Sequence, residues 1–241
     1  MNTSIISSIR RDLQKSADEK TKESAGHFFK EAIKVYGVKT GAVVAIAKKY
    51  WNEIKTLPKN EILSMCEALY KSGIMEESFV VSSWVPKLSG SFETNDIDVF
   101  YHWIDSYITN WASCDGFCNH SVGAYIDKYP EQVSVLTKWA TSKNRWVKRA
   151  AAVSLIIPAK HGRFLHEVFG IADILLLDTD DMVQKGYGWM LKEASRKHQR
   201  EVFMYVEKHK KVMPRTALRY AIELMPPVLR KQAMDRNIAV H

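Results

Sequence analysis

Hydrophobic positions recur every three to four residues along almost the whole chain, the spacing of helices that bury one face. In TGAVVAIAKKYWNEIKTL this spacing predicts a helix with Val43, Ala47, Trp51 and Ile54 on its inner face. KNEILSMCEALYKSG repeats the pattern with Ile62, Met65, Cys66 and Leu69, and Gly73 punctuates its end. TNDIDVFYHWIDSYI offers Thr94 or Asn95 as N-cap, then Ile97, Phe100, Ile104 and Tyr107. YPEQVSVLTKWATS opens with Pro130 at a first helical position. NRWVKRAAAVSLIIP starts at a capping Asn144 and ends near Pro158. Further helical stretches follow: GRFLHEVFGIADILL, TDDMVQKGYGWMLKEASRK, HQREVFMYVEKH, PRTALRYAIELM and PVLRKQAM. IADILLL is a short apolar run, but its helical neighbours favour a buried helix over a strand.

The predicted architecture is all-α: about a dozen helices of roughly 10–18 residues joined by short polar turns. Antiparallel pairs recur at roughly 35–40 residues, the length scale of HEAT-like repeats. Such helical-repeat arrays curl into an α-α superhelix with a concave face. The repeat is structural, since no strict sequence repeat is present. The connection LSGSFETND (88–96) is a loop or a mild boundary and does not divide the chain, so residues 1–241 are expected to form a single domain.

Composition narrows the function classes. The chain has 241 residues, enough to bury a sizeable core. No apolar run reaches the ~18 residues of a membrane span, and the first residues lack a signal-peptide pattern. Three cysteines, Cys66, Cys114 and Cys118, are too few and too odd for a disulfide framework and point to a reducing cytoplasm. Charge is uneven. Residues 1–120 carry 14 Lys+Arg against 15 Asp+Glu, and residues 121–241 carry 21 against 12, which leaves −1 and +9. The basic half is either a solvated surface or the footprint of a polyanion.

Three stretches could carry chemistry. In NWASCDGFCNH, Trp111 and Asp115 stand four apart and share one helix face. A carboxylate there can position water or stabilise a cation, and an indole face favours cations and flat rings; a core tryptophan beside a solvated aspartate gives the same spacing. In KNRWVKRAAAVSLI, Arg145, Lys148 and Arg149 crowd a helix start, where free N–H groups already favour an anion. That suits a phosphate backbone; a basic turn with Trp146 packed inward fits equally. In KGYGWMLKEASRKHQR, Gly186 and Gly188 flank Tyr187 inside a helix and precede Trp189. Each glycine there costs roughly 1 kcal/mol against alanine, which close helix packing explains. Cys114, Cys118 and His120 match no zinc spacing, and the two cysteines read as buried small apolar residues. No phosphate-binding or dinucleotide glycine pattern occurs, so neither metal nor cofactor is expected. The run VEKHKKVMPR (206–215) is a basic helix end, either solvated or able to meet phosphate.

Taken in order, the three stretches resemble the DNA alkylation repair enzyme family, the AlkD-like glycosylases. The family pattern is a W-x-x-x-D helix, a W-x-[RK]-R-x-A helix start and a G-W-x-[LM]-[RK]-E helix; this chain has WASCD, WVKRAA and GWMLKEAS. The resemblance covers essentially the whole chain. It implies a HEAT-like superhelix gripping double-stranded DNA in a basic concave face, acting as a monomer without metal or membrane. It further implies removal of cationic N3- and N7-alkylated purines, which starts base excision repair. By motif position, Asp115 is the implied catalytic carboxylate, Trp111 and Trp189 contact the lesion-bearing nucleotide, and Arg149, beside Lys148 and Arg145, holds backbone phosphate. The implied location is the cytoplasm, at the nucleoid when DNA-bound. A non-catalytic relative that binds damaged or branched DNA is the other expectation. The chain departs from the family at its N-terminal end. Where members carry G-[IV]-Q-x-P, this chain has GVKTG, with Lys39 for Gln and Gly41 for Pro, and Phe28 stands where a Tyr is usual. Lys39 can still meet a phosphate.

Overall fold

The computed structural model describes residues 2–235. In chain order the helices are α1 (Asn2–Lys15), α2 (Glu19–Phe28), α3 (Thr40–Ile54), α4 (Lys59–Tyr70), α5 (Met75–Trp84), a 3₁₀ helix (Val85–Ser91), α6 (Asp96–Tyr107) and α7 (Trp111–Phe117). A π turn (Cys118–Val122) leads into α8 (Gly123–Lys128). After a 3₁₀ turn (Pro130–Gln132) come α9 (Ser134–Ala140), α10 (Arg145–Val153), α11 (Ile156–Lys160) and α12 (Leu165–Leu175). The series closes with α13 (Asp181–Ala194), α14 (Gln199–His209), α15 (Arg215–Ala221) and α16 (Pro227–Met234). Among the described residues no strand forms; an isolated bridge pairs Lys34 with Ile74. The fold is all-α and built of repeated helices. No helix among the described residues is long and apolar enough to cross a membrane.

The chain divides into two compact units, Met1–Tyr125 and Ile126–His241. The division lies well past LSGSFETND, whose first four residues end the 3₁₀ helix that packs on α5. In the first unit α5 is central, contacting α3, α4 and α7. The Trp84 indole N–H donates to the Ala47 carbonyl at 2.8 Å, which ties α5 to the backbone of α3. Phe100, Trp103, Phe117, Tyr70 and Tyr125 form one aromatic core, with Phe117 edge-on to Phe100 (5.4 Å) and to Tyr70 (5.9 Å). In the second unit α13 takes the central place, packed by α10, α11, α12 and α15.

Local deviations from the expected elements have local causes. On α3 the buried stripe is Val43, Ile46, Ala47, Tyr50 and Ile54. Trp51 flanks it, half-buried, with the Lys87 ammonium 5.1 Å from its ring. Asn95 precedes α6 but makes no capping bond. The Asp96 carboxylate, at the first position of α6, turns back instead to accept from the Glu93 N–H at 2.8 Å and from Lys59 Nζ, which ties the preceding turn and α4 to the helix start. Pro158 does not stop a helix; it lies in the first turn of α11, where a missing N–H costs nothing. IADILLL is helical through Leu175, as its neighbours imply. The basic run 206–215 is only partly solvated: Lys210 is 1% exposed, bonded to both Glu207 carboxylate oxygens (3.1 and 3.0 Å) and to the Gln232 carbonyl (3.2 Å). That lysine anchors α14 to α16 rather than facing a ligand.

Candidate functional site

The first unit carries Trp111 and Asp115 on a short, firmly seated helix. Asn110 is extended and its side chain accepts from the Ser113 N–H at 2.9 Å, so α7 begins at Trp111. The Ser113 hydroxyl meets the Ser78 hydroxyl of α5 at 2.7 Å. Ser78 spends its own proton on the Met75 carbonyl (2.7 Å), so Ser113 is the donor of the pair. Phe117, at the other end of α7, is locked in the aromatic core. Asp115 lies between these anchors and is only 9% exposed. The solvated-aspartate alternative is therefore not what forms. Directly after α7 the backbone widens into the π turn 118–122, a distortion that recurs beside functional sites. Cys114 and Cys118 are wholly buried, as small apolar residues would be.

Trp111 is half-buried and meets two other rings. Phe29 stacks on it at 5.4 Å with planes 24° apart, and Phe28 leans on it at 5.7 Å and 58°. Phe28 is 68% exposed and Phe29 is half-buried. By motif position Phe28 stands where the family Tyr would be, as a lesion- or DNA-contacting candidate; the structure sets it against Trp111, but the better-stacked partner of that indole is Phe29. The adjacent FF pair at the end of α2 was its signal. Lys39 is exposed at the start of α3 and lines a cleft of ≈ 360 Å³ with Phe28, Phe29, Thr21, Thr40 and Phe79. A Cβ on Gly41 would meet nothing within 4 Å, so no close approach demands glycine where the family has proline.

The second unit carries Arg145, Lys148, Arg149 and Trp189. Asn144 caps α10 through the Trp146 N–H at 2.9 Å. Trp146 packs inward with the Arg145 guanidinium 4.9 Å from its ring. Arg145 pairs with Asp180 (Nε–Oδ2 2.8 Å, Nη2–Oδ1 3.0 Å) and, at 3.7 Å, with Asp181. Lys148 pairs with Asp178. Arg149 is 5% exposed and donates from Nη1 to the Met182 carbonyl in the first turn of α13. The sequence motif fits either a phosphate-binding cluster or a basic turn with Trp146 packed inward; the structure packs Trp146 inward and pairs Arg145 and Lys148 with the acidic loop before α13. That loop, LDTDD, was read only as a helix start. The two glycines of KGYGW have separate uses. A Cβ on Gly186 would sit 3.2 Å from Arg149 Cγ, so Gly186 makes room for the arginine stem. A Cβ on Gly188 would lie 2.8 Å from the Ala217 carbonyl oxygen and from Tyr220 Cβ, so Gly188 lets α13 close on α15. Close packing was the expected reason. Trp189 follows, half-buried on α13.

Within each unit, then, the candidate residues sit together: Trp111 and Asp115 with Phe28, Phe29 and Lys39 near by, and Arg149 against the helix that bears Trp189. A family model described as DNA alkylation repair enzyme matches residues 9–225. Among solved structures, one described as a predicted DNA alkylation repair enzyme from Enterococcus faecalis is similar over 88% of this chain and 98% of its own, with TM-score 0.79 and 16% identity. The smu.31 structure from Streptococcus mutans UA159 is similar over 78% and 99%, with TM-score 0.58 and 18% identity. At these identities the likeness is one of fold. No curated protein matches the chain.

Proposed function

Because this chain belongs to the DNA alkylation repair enzyme family, we propose that it is a DNA glycosylase acting on cationic N3- and N7-alkylated purines in double-stranded DNA. The observation that carries this reading is the pairing of a buried Asp115 with a ring-backed Trp111 on one anchored helix turn. An alkylated purine of this kind already bears positive charge, so its glycosidic bond breaks without protonation of the base. What the enzyme must supply is stabilisation of the cationic sugar and a placed water. A carboxylate does both, as in glycoside hydrolysis. Indole faces attract the cationic sugar and base. Trp111 and Trp189 are assigned to the lesion-bearing nucleotide, and Arg149, with Lys148 and Arg145, to backbone phosphate, in a HEAT-like array that works as a monomer and starts base excision repair in the cytoplasm.

The direct test is release of bases from duplex DNA treated with a methylating agent. The wild-type chain is expected to release 7-methylguanine or 3-methyladenine. Salt-dependent DNA binding without any release would overturn the glycosylase reading and leave a non-catalytic DNA-binding relative.

The acidic loop before α13 makes a second expectation. Asp178 holds the Lys148 ammonium, so a phosphate that meets Lys148 competes with that carboxylate. Asp178→Asn is expected to tighten duplex binding by roughly threefold to tenfold and to steepen the salt dependence by about one released counterion. Titration of a labelled duplex at several salt concentrations reads both. Unchanged affinity and slope would take Lys148 off the phosphate-contacting set.

A further inference from the structure

The strap between α2 and α3, residues 30–39, has almost no secondary structure of its own, yet it is fastened at four successive points. The Lys34 carbonyl accepts from the Met75 N–H at 2.9 Å. The buried carboxylate of Glu76, in the first turn of α5, then accepts three consecutive backbone N–H groups: Tyr36 on Oε2 (3.1 Å), and Gly37 and Val38 on Oε1 (2.8 and 3.0 Å). Successive N–H groups turned inward form an anion-holding concavity, filled here by the protein's own carboxylate. Charge-assisted bonds of this kind are about twice as strong as neutral ones. Glu77, next along and fully buried, takes the Tyr36 hydroxyl at 2.7 Å and a forked bond from Arg10 (3.0–3.1 Å). Burial and that bond to Glu77 push the Tyr36 phenol up, so it stays a donor. On the opposite side Gly37, at φ +90°, packs so close that a Cβ would fall 2.6 Å from Lys22 Cβ, and its carbonyl accepts from the Asp18 N–H at 2.9 Å.

The residue immediately after this fastened run is Lys39. Among the described residues it forms no direct ion pair, unlike Arg145 and Lys148, although its charge helps hold the Asp18 carboxyl low, after the Thr21 hydrogen bonds. It lines the same cleft as Phe28 and Phe29, the rings against Trp111, and Glu76 lines that cleft too. We infer that Glu76 is a positioning residue for DNA binding: by gripping the backbone of 36–38 it fixes the point from which the Lys39 side chain leaves, on the cleft lined by Phe28 and Phe29, so that its ammonium meets a backbone phosphate. The inference rests on the double-stranded DNA partner proposed above, but not on catalysis. Ordering a loop residue costs backbone entropy. A lysine on an unfastened strap would surrender that on each encounter with DNA; here the cost is met in folding.

The test is a double-mutant cycle read by binding of a short, undamaged duplex. Glu76→Gln keeps the side-chain shape but sets an amide NH₂ against at least one of the three N–H groups, donor facing donor. It is expected to weaken binding roughly fivefold and to lower the salt slope by about 1, as does Lys39→Gln, because each removes one phosphate contact. In the Lys39→Gln background, Glu76→Gln is expected to do no further harm. Equal losses in both backgrounds, or no loss in either, overturn the inference and leave Glu76 a structural carboxylate. If the Gln variant does not fold, Glu76→Asp keeps the charge, shortens its reach by one methylene and is put through the same cycle with the same expectation. Base release is assayed separately. A wild type that binds duplex and completes the cycle but releases no base overturns the glycosylase reading alone, whereas a wild type without salt-dependent duplex binding overturns this inference.

Discussion

Asp115→Asn is expected to lower release of methylated purines from duplex DNA by at least about a hundredfold while leaving duplex affinity within about twofold. The size follows from what the carboxylate does. Removing one preorganised electrostatic group aimed at developing charge costs about 10²–10³ in rate. Asparagine keeps the shape of the side chain and one acceptor oxygen, but removes the negative charge that would face the cationic sugar and place the attacking water. The retained affinity follows because the phosphate contacts are assigned elsewhere, to Arg149 and the basic residues about it. Asparagine keeps the shape of the side chain, and α7 is anchored besides by the Asn110 cap, the Ser113–Ser78 contact and the Phe117 core. Single-turnover release kinetics beside duplex titration separate the two quantities. A variant within about threefold of wild type in release rate would mean that Asp115 does not carry the chemistry, whatever Trp111 contributes.

How much of this was visible in the sequence depends on the reach of the interaction involved. Periodicity reports what one helix does with its own faces, so Ile62, Met65, Cys66 and Leu69 were placed inside and are buried. It failed by one residue on α3, where Tyr50 and Trp51 are adjacent large rings and only tertiary packing decides which turns in. Caps read well where the side chain closes its own turn, as at Asn144, and failed at Asn95, whose side chain makes no capping bond. The site shows the same division. Trp111 and Asp115 were legible as candidates because one helical turn separates them on α7. Phe29, Glu76 and the acidic loop at 178–181 were not, because each acts on a residue some thirty to eighty positions away and nothing in its own window announces the partner. The charge of the second half is read with the same restriction: its net value holds, but which cations stand free of carboxylates is settled only by the fold. Charge counts add residues without regard to pairing, and the cluster at 145–149 folds against carboxylates that the same count had already included.

The glycines of the second unit turn one distance into opposite outcomes for the same substitution. In a helix, alanine is favoured over glycine by roughly 1 kcal/mol. At Gly170 on α12 a new Cβ would meet nothing within 4 Å, so Gly170→Ala should show that gain nearly undiluted, about 0.4–1 kcal/mol of added stability. At Gly188 the new Cβ would lie 2.8 Å from the Ala217 carbonyl oxygen and 3.1 Å from the Ala217 Cα. Those are backbone atoms of α15, which cannot rotate aside as a side-chain tip would. Either α13 lifts off α15 or α15 shifts, and overpacking of this kind costs about 1–3 kcal/mol. The cost exceeds the propensity gain over most of that range, so Gly188→Ala is expected to lower the thermal midpoint by a few degrees while Gly170→Ala raises it. The same displacement acts on the neighbouring residue. Trp189 rides on α13, and a shift of well under a helix turn moves an indole assigned to the lesion; misplacements near 1 Å are enough to cost about 10²-fold in rate. Gly188→Ala should therefore lose base release by at least about tenfold at temperatures where it is fully folded, and Gly170→Ala should not. If Gly188→Ala stays folded and keeps full activity, α13 has slack against α15, and the reason for glycine at 188 is neither packing nor the placement of Trp189.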